Sequence, residues 1–155
     1  MKAKIKTRLV ASVFLIFALF MSVTPTLAAS SYYDFQIYKS VNGKETGKFH
    51  SLTANKTASI SGKAWYNHSK DKSGGQVNIA GETVKYCLKR DRFGFDKDYG
   101  CVDGYVSFKT TNYNNGNNFS GTFKDVPDEK SDKYYLVITK GNGLVYVQGE
   151  GNVKQ

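Results

Sequence analysis

Short segments of alternating apolar and polar residues, separated by turn-forming residues, recur along the chain after Ser30. No stretch of this region keeps a helical period for three turns, so the pattern favours strands over helices. Eleven tyrosines and ten phenylalanines add to this preference, because aromatic side chains suit a pleated, half-buried surface. Seven or eight strands at these spacings predict an all-β fold, a single antiparallel β-sandwich of the Greek-key or immunoglobulin-like kind, or a small barrel.

The C-terminal third carries the most specific strand signals. Residues 133–139 and 144–148 flank a Gly-Asn-Gly turn at 141–143, and together they predict an antiparallel hairpin. Tyr134 follows a proline-bearing crossover. We therefore expect a tyrosine corner, in which its phenol bonds back to the backbone of the crossover.

The chain opens with the pattern of a secretory signal peptide. Its first eight residues include four basic side chains and no acidic one, and fifteen uncharged, mostly apolar residues follow. Small residues then predict cleavage before Ala29 or Ser30. An uncleaved membrane anchor is the alternative, although a spanning helix needs about 20 apolar residues. The expected organisation is a signal peptide, residues 1–28, and a secreted, extracellular domain, residues 29–155, without stable membrane insertion after cleavage.

Export determines how the two cysteines are interpreted. Cys87 and Cys101 are the only cysteines of the chain, and thiols oxidise outside the cytosol, so we expect one disulfide. A redox pair is usually Cys-x-x-Cys, and a zinc site needs about four ligands, which makes both alternatives poor. The bridge closes a loop that should add about 3 kcal/mol of stability in the chain-entropy model.

The disulfide-closed loop, residues 88–100, has two phenylalanines at its centre. The charges of the loop nearly cancel, and Phe93 and Phe95 either dock on the sheet or project from it. Docking is the expected arrangement. Projection would make the loop a rigid contact element of the kind that an enzyme inhibitor uses.

Few residues of this chain suit catalysis. The sequence contains no Gly-x-Ser-x-Gly elbow and no His-Glu-x-x-His motif, and His50 and His68 lie in polar, loop-like segments where we expect them to be exposed. Glu82 lies beside a strand and is the least ordinary carboxylate, but it has no identifiable partner, so a hydrolase is a minor alternative. We expect no enzyme and no cofactor.

A calcium loop is also poorly supported. Asp96 and Asp98 resemble its beginning, but the later ligand positions hold unsuitable residues. A different calcium geometry, in which Asp103 joins these two, is the alternative. We therefore predict no metal site.

Aromatic residues remain as candidates for a binding surface. Trp65 lies on the strand face opposite Ala58, Ile60 and Ala64, which would make it face solvent. A register slip of one residue would bury it in a two-sided sandwich core instead, and burial is the favoured alternative. Exposed aromatic rings near amide side chains are typical of sugar- or protein-binding surfaces. The candidate surface comprises Trp65, Tyr38, Phe93, Phe95, Tyr99 and Tyr113.

The net charge and the low arginine content limit the kinds of partner that this chain can bind. The formal net charge of +9 falls to about +5 without the four basic residues of the signal segment, and beyond that segment only Arg90 and Arg92 are arginines. Nucleic-acid recognition relies on arginine, so no nucleic acid is expected. We predict a secreted, monomeric, non-catalytic binding module whose partner is a cell-envelope polymer, a glycan or a protein. The alternative is a secreted effector, an antimicrobial toxin or an enzyme inhibitor, that acts through residues 88–100.

Overall fold

The computed structural model describes residues 29–67, 81–141 and 145–155. Within these ranges lie nine strands and one turn of 3-10 helix at Tyr113–Asn115. The strands are β1 (Ser30–Ile37), β2 (Ser40–Asn42), β3 (Phe49–Leu52), β4 (Ser59–Tyr66), β5 (Gly81–Arg90), β6 (Lys97–Ser107), β7 (Asn117–Thr122), β8 (Ser131–Lys140) and β9 (Val147–Lys154). The all-β prediction is confirmed, and the count exceeds seven or eight because β2 and β3 are too short to show alternation.

Two antiparallel sheets form the sandwich. The first sheet has the strand order β1-β9-β4-β7, and the second has the order β2-β8-β5-β6, with β3 also pairing with β8. Their inner faces enclose one core in which aromatic rings dominate. Tyr86 lies at its centre, stacked on Phe119 at 4.2 Å between ring centroids and edge-on to Phe35 at 5.7 Å.

The predicted hairpin between residues 133 and 148 is wrong. Strand β8 belongs to the second sheet, whereas β9 lies in the first sheet between β1 and β4. Strand β9 carries glycines at two inward positions, Gly149 and Gly151, and so fits beside a strand with large inward rings. A Cβ atom on Gly149 would lie 2.5 Å from the ring of Phe35, so this strand makes room for the aromatic residues of β1.

Several local predictions are confirmed. The Cys87–Cys101 disulfide forms between directly opposed residues of β5 and β6, with the two Cα atoms 4.0 Å apart. The tyrosine corner is present as well, since the hydroxyl of Tyr134 donates to the carbonyl of Glu129 at 2.7 Å.

Two polar residues lie in unexpected environments. His50, predicted to be exposed, is only 2% exposed, because β3 pairs with β8 and turns alternate residues inward. Glu82 is buried too, and it does have a partner: the ammonium group of Lys140 lies 2.9 Å from its carboxylate.

Some predictions fall on residues outside the described ranges. These are the signal peptide at 1–28, His68, and residues 142 and 143 of the predicted turn at 141–143, and all stay predictions. In the part of the chain that the structure describes, no helix is long and apolar enough to cross a membrane.

Candidate functional site

The outer face of the first sheet carries a polar platform that continues across all four strands. Antiparallel pairing aligns its side chains in two neighbouring rows, because directly opposed residues point to the same side of a sheet. The rows are Tyr32, Asn152, Ser61 and Ser120, and next to them Asp34, Glu150, Lys63 and Asn118.

Part of this platform is the floor of a groove of about 260 Å³. Two tyrosines line the groove: Tyr32 on β1, 59% exposed, and Tyr113 in the 3-10 turn, 48% exposed. Between them the floor presents hydroxyl, amide and charged groups from Ser61, Asn118 and Asn152, together with Lys63 and Glu150. We call these residues the tyrosine groove.

Local electrostatics hold the tyrosine groove in shape. The hydroxyl of Tyr32 donates to the carboxylate of Glu150 at 3.1 Å. Desolvation and this bond to Glu150 raise the pKa of Tyr32, so the phenol stays protonated at neutral pH. The ammonium group of Lys63 lies 4.5 Å from the centre of the Tyr113 ring, within the range of a cation–π contact. Both exposed rings therefore have a charged neighbour that limits their motion.

The asparagine-rich segment before β7 positions Tyr113. The side chain of Asn112 accepts from the backbone N–H groups of Asn114 and Asn115, and Asn115 bonds back to the N–H of Asn112. This reciprocal capping satisfies the free donors of the 3-10 turn and fixes the backbone on which Tyr113 is carried. The segment, which looks like low-complexity loop in the sequence, thus has a defined conformation.

Trp65 lies beneath this turn and not on the surface. It points to the outer face as alternation predicts, but only 8% of it is exposed. The ring of Tyr113 meets it edge-on at 5.8 Å between centroids, and the backbone of Gly116 also lies close to it. Trp65 is therefore buried, as the favoured alternative predicted, but a distant loop covers it and the strand register has not slipped.

Two other candidate residues lie away from the groove. Tyr99 was expected in a loop, but it is on β6 and fully buried, because β6 begins at Lys97. Tyr38 follows β1, is half-buried, and has its ring 5.0 Å from that of Tyr146. Neither residue joins the tyrosine groove.

The predicted loop 88–100 is shorter than expected and its phenylalanines project. Strand β5 continues to Arg90 and β6 begins at Lys97, which leaves residues 91–96 as the connection. Phe93 is fully exposed and Phe95 is 91% exposed, so the docking expected from the sequence is wrong. Gly94 between them has a φ of +93°, a conformation that favours glycine and reverses the chain at this point. We call Phe93 and Phe95 the phenylalanine tip.

The base of this loop is firmly held. Asp96 accepts from the hydroxyl of Tyr135 at 2.6 Å and from the ammonium group of Lys44 at 3.0 Å. These two contacts lower the pKa of Asp96, the bond to Tyr135 first. Lys44 also pairs with Asp91 at 2.8 Å, so a residue from the β2–β3 connection ties both ends of the loop together.

A second charged cluster supports the same hairpin from the other side. Asp128 receives Lys97 at 2.7 Å and Arg90 at 2.9 Å, and the hydroxyl of Tyr99 donates to it as well. Contacts with Lys97 and Tyr99 hold the pKa of Asp128 well below its usual range. The crossover that contains Asp128 is thereby tied to β5 and to β6.

Among the described residues, no three His, Cys, Asp or Glu side chains are grouped so that they could hold a metal ion. Asp98, one of the calcium candidates, pairs with Lys89 at 3.2 Å. The carboxylate of Glu82 and the ammonium group of Lys140 form a buried pair in the second sheet.

No model of a protein family matches the chain, and no curated protein sequence matches it either. Solved structures with a similar fold include the following two. The CBM22-1 and GH10 modules of Clostridium thermocellum endo-1,4-beta-D-xylanase 10B, complexed with xylohexaose, match over 69% of this chain and 19% of theirs, with 11% identity and a TM-score of 0.42. The C-terminal family 22 carbohydrate-binding module of Clostridium thermocellum Xyn10B matches over 86% of this chain and 88% of its own, with 7% identity and a TM-score of 0.38. The chain thus spans about a fifth of the first structure, and neither likeness assigns a residue or a ligand to it.

Proposed function

We propose that this chain is a secreted, non-catalytic binding module that holds an extracellular polysaccharide in the tyrosine groove. The observation that carries the proposal is the pair of exposed rings, Tyr32 and Tyr113, beside a floor of hydroxyl and amide groups. A sugar ring has apolar C–H faces and polar hydroxyl edges. Aromatic rings meet the faces, and Asn118, Asn152 and Ser61 offer both donors and acceptors to the edges.

The position of the groove supports an extended ligand. Tyr32 on β1 and Ser61 on β4 are separated by two strand spacings, roughly 10 Å. The groove is open to solvent along the outer face of the sheet, so it suits a polymer that lies along the sheet better than a small molecule, which a protein usually encloses in a deep pocket. Lys63 and Glu150 are directly opposed on β4 and β9 and balance each other, so the floor favours a neutral sugar chain.

Binding is measured with soluble xylan, β-glucan and mannan and with insoluble cell-wall material, by affinity electrophoresis and pull-down. Trp65 is the single tryptophan and lies against Tyr113, so its fluorescence should change when a ligand reaches that ring. Tyr32→Ala and Tyr113→Ala should each weaken binding about tenfold, a cost of about 1.4 kcal/mol. Asn118→Ala and Asn152→Ala should weaken it less, since each removes a single neutral hydrogen-bonding group.

Tyr105→Ala is the matched control. Tyr105 is an exposed tyrosine, 52% accessible, but it lies on β6 in the second sheet. It should therefore leave polysaccharide binding unchanged. Failure of every polymer to bind, or equal losses in the Tyr105 and groove variants, would refute the proposal. Release of reducing sugar from a bound polymer would refute its non-catalytic part.

The effector alternative depends on the loop that β5 and β6 close, which belongs to the second sheet. It concerns a different surface and is independent of the tyrosine groove.

A further inference from the structure

The phenylalanine tip is the most exposed apolar feature of the described residues, and the tyrosine groove does not use it. Phe93 and Phe95 occupy a turn of six residues, 91–96, and expose almost their entire side chains to solvent. Large rings at such a position lose favourable burial unless another surface covers them. The loop beneath them is fixed by Asp96, Tyr135 and Lys44, so the rings are carried on a rigid support.

The surroundings of the tip decide which kind of surface covers it. A groove of about 640 Å³ lies beside the two rings, and its other lining residues are all polar or charged: Arg90, Asp91, Arg92, Glu129, Ser131 and Lys133. Two phenylalanine rings bury about 300–500 Å² together. A stable protein interface buries about 800 Å² on each partner around an apolar core, which this neighbourhood lacks.

A lipid bilayer, unlike a protein partner, does not require a large apolar patch around the two rings. Its interface accepts a few apolar side chains at the acyl boundary and places charged groups among the headgroups. The phenylalanine tip, surrounded by charged residues of both signs, matches this layering. Most of the cations close to it are paired within the protein: Arg90, Arg92 and Lys97 with Asp128, and Lys44 with Asp91.

We propose that Phe93 and Phe95 dock this protein shallowly and reversibly onto a phospholipid bilayer. The contact inserts two rings at the interface and spans nothing, so it agrees with the expectation of no stable membrane insertion. Because the loop charges are internally paired, the rings and not the lysines supply most of the affinity. Anionic lipid therefore has a smaller effect on binding than removal of the rings.

The test uses residues 29–155, which contain both sheets, in the oxidised form. Co-sedimentation is measured with phosphatidylcholine vesicles, with and without phosphatidylglycerol. Phe93→Ala/Phe95→Ala should lower the partition coefficient about tenfold or more, since each ring contributes its own burial. Both rings are exposed, so the fold should be retained, and a thermal melt verifies this. Tyr32→Ala/Tyr113→Ala, which removes two exposed rings from the groove, is the matched control and should partition like the wild type.

Phe95→Trp adds a positional readout. On binding to vesicles, the fluorescence emission of the introduced tryptophan should shift to shorter wavelength, and lipids with a quencher on the acyl chain should quench it. Both changes should exceed those of the wild type, in which Trp65 is the only tryptophan. Equal partitioning of the wild type and the double phenylalanine variant would overturn the proposal. Binding that requires phosphatidylglycerol and survives the loss of both rings would overturn it too, because the lysine surface would then be responsible. A tip that binds a protein but no vesicle would also overturn it.

Discussion

The buried imidazole of His50 should make this fold sensitive to mild acid. Its Nδ1 lies 2.8 Å from the hydroxyl of Ser31, whereas its Nε2 is buried with no hydrogen-bonding partner. Burial lowers the pKa of His50 to about 4, because the charged ring would lose its hydration. In the unfolded chain the same group has a pKa of about 6.5. Between about pH 4 and pH 6.5, His50 is therefore protonated in the unfolded chain but stays neutral in the folded chain.

The sign and size of the effect follow from these two values. The stability that depends on neutral His50 is fully present above about pH 6.5, falls as the pH drops, and is lost by about pH 4. The difference between the two pKa values corresponds to about 3 kcal/mol. His50→Gln keeps a polar side chain near Ser31 but does not titrate. The unfolding free energy of the wild type should thus fall by about 3 kcal/mol more than that of the variant between pH 7 and pH 4.

Urea unfolding followed by far-ultraviolet circular dichroism measures these free energies at a series of pH values. Asp96 and Asp128, whose pKa values are lowered, lose their contributions below their ordinary value of 3.8, and they do so in both proteins. Ser31→Ala is a useful control, because it removes the partner of Nδ1 and leaves the imidazole titratable. It should keep the steep pH dependence. Parallel curves for the wild type and His50→Gln would show that the reasoning from burial is wrong.

Three further predictions concern stability. Cys87→Ser/Cys101→Ser should cost about 3 kcal/mol and lower the melting temperature by roughly 10 °C, and an unchanged melt would argue against a stabilising bridge. Gly151→Ala should lower the unfolding free energy by more than about 3 kcal/mol, since its Cβ would lie 2.1 Å from the carbonyl oxygen of Ser61. Gly141→Ala is the control and should have little effect, because no atom lies within 4 Å of the added Cβ. Similar losses in the two variants would contradict the packing argument. Tyr134→Phe should cost about 1 kcal/mol in the same urea assay by removing the bond to the Glu129 carbonyl, and a cost near zero would mean that this corner is not a stabilising contact.

The strand faces could be predicted from the sequence, whereas coverage by distant segments could not. Alternation correctly placed Ala58, Ile60 and Ala64 inside and Trp65 outside. It gave no information about the turn that carries Tyr113 over Trp65, because that contact joins residues nearly fifty positions apart and depends on the asparagine caps.

The partners of β9 and the tyrosine groove were missed for a related reason. A Gly-Asn-Gly turn indicates only that the chain reverses, and it does not say which sheet the next strand joins. The useful signal was the spacing of the glycines: Gly149 and Gly151 alternate with Glu150 and Asn152. If this segment is a strand, its glycines face inward and Glu150 and Asn152 face outward. That alternation predicts two of the residues that form the groove floor.

Strand β9 therefore couples the core to the proposed binding surface. Its inward glycines allow Tyr33 and Phe35 to pack across the sheet, and the alternate residues of the same strand, Glu150 and Asn152, form the floor of the groove. A side chain added at Gly151 would push this strand away from the backbone of β4 and displace the two polar residues with it. Substitutions in the core of β9 should consequently weaken stability and polysaccharide binding together, whereas Tyr32→Ala and Tyr113→Ala should weaken binding alone. Observation of that contrast would distinguish a groove that the fold itself shapes from a set of independent surface contacts.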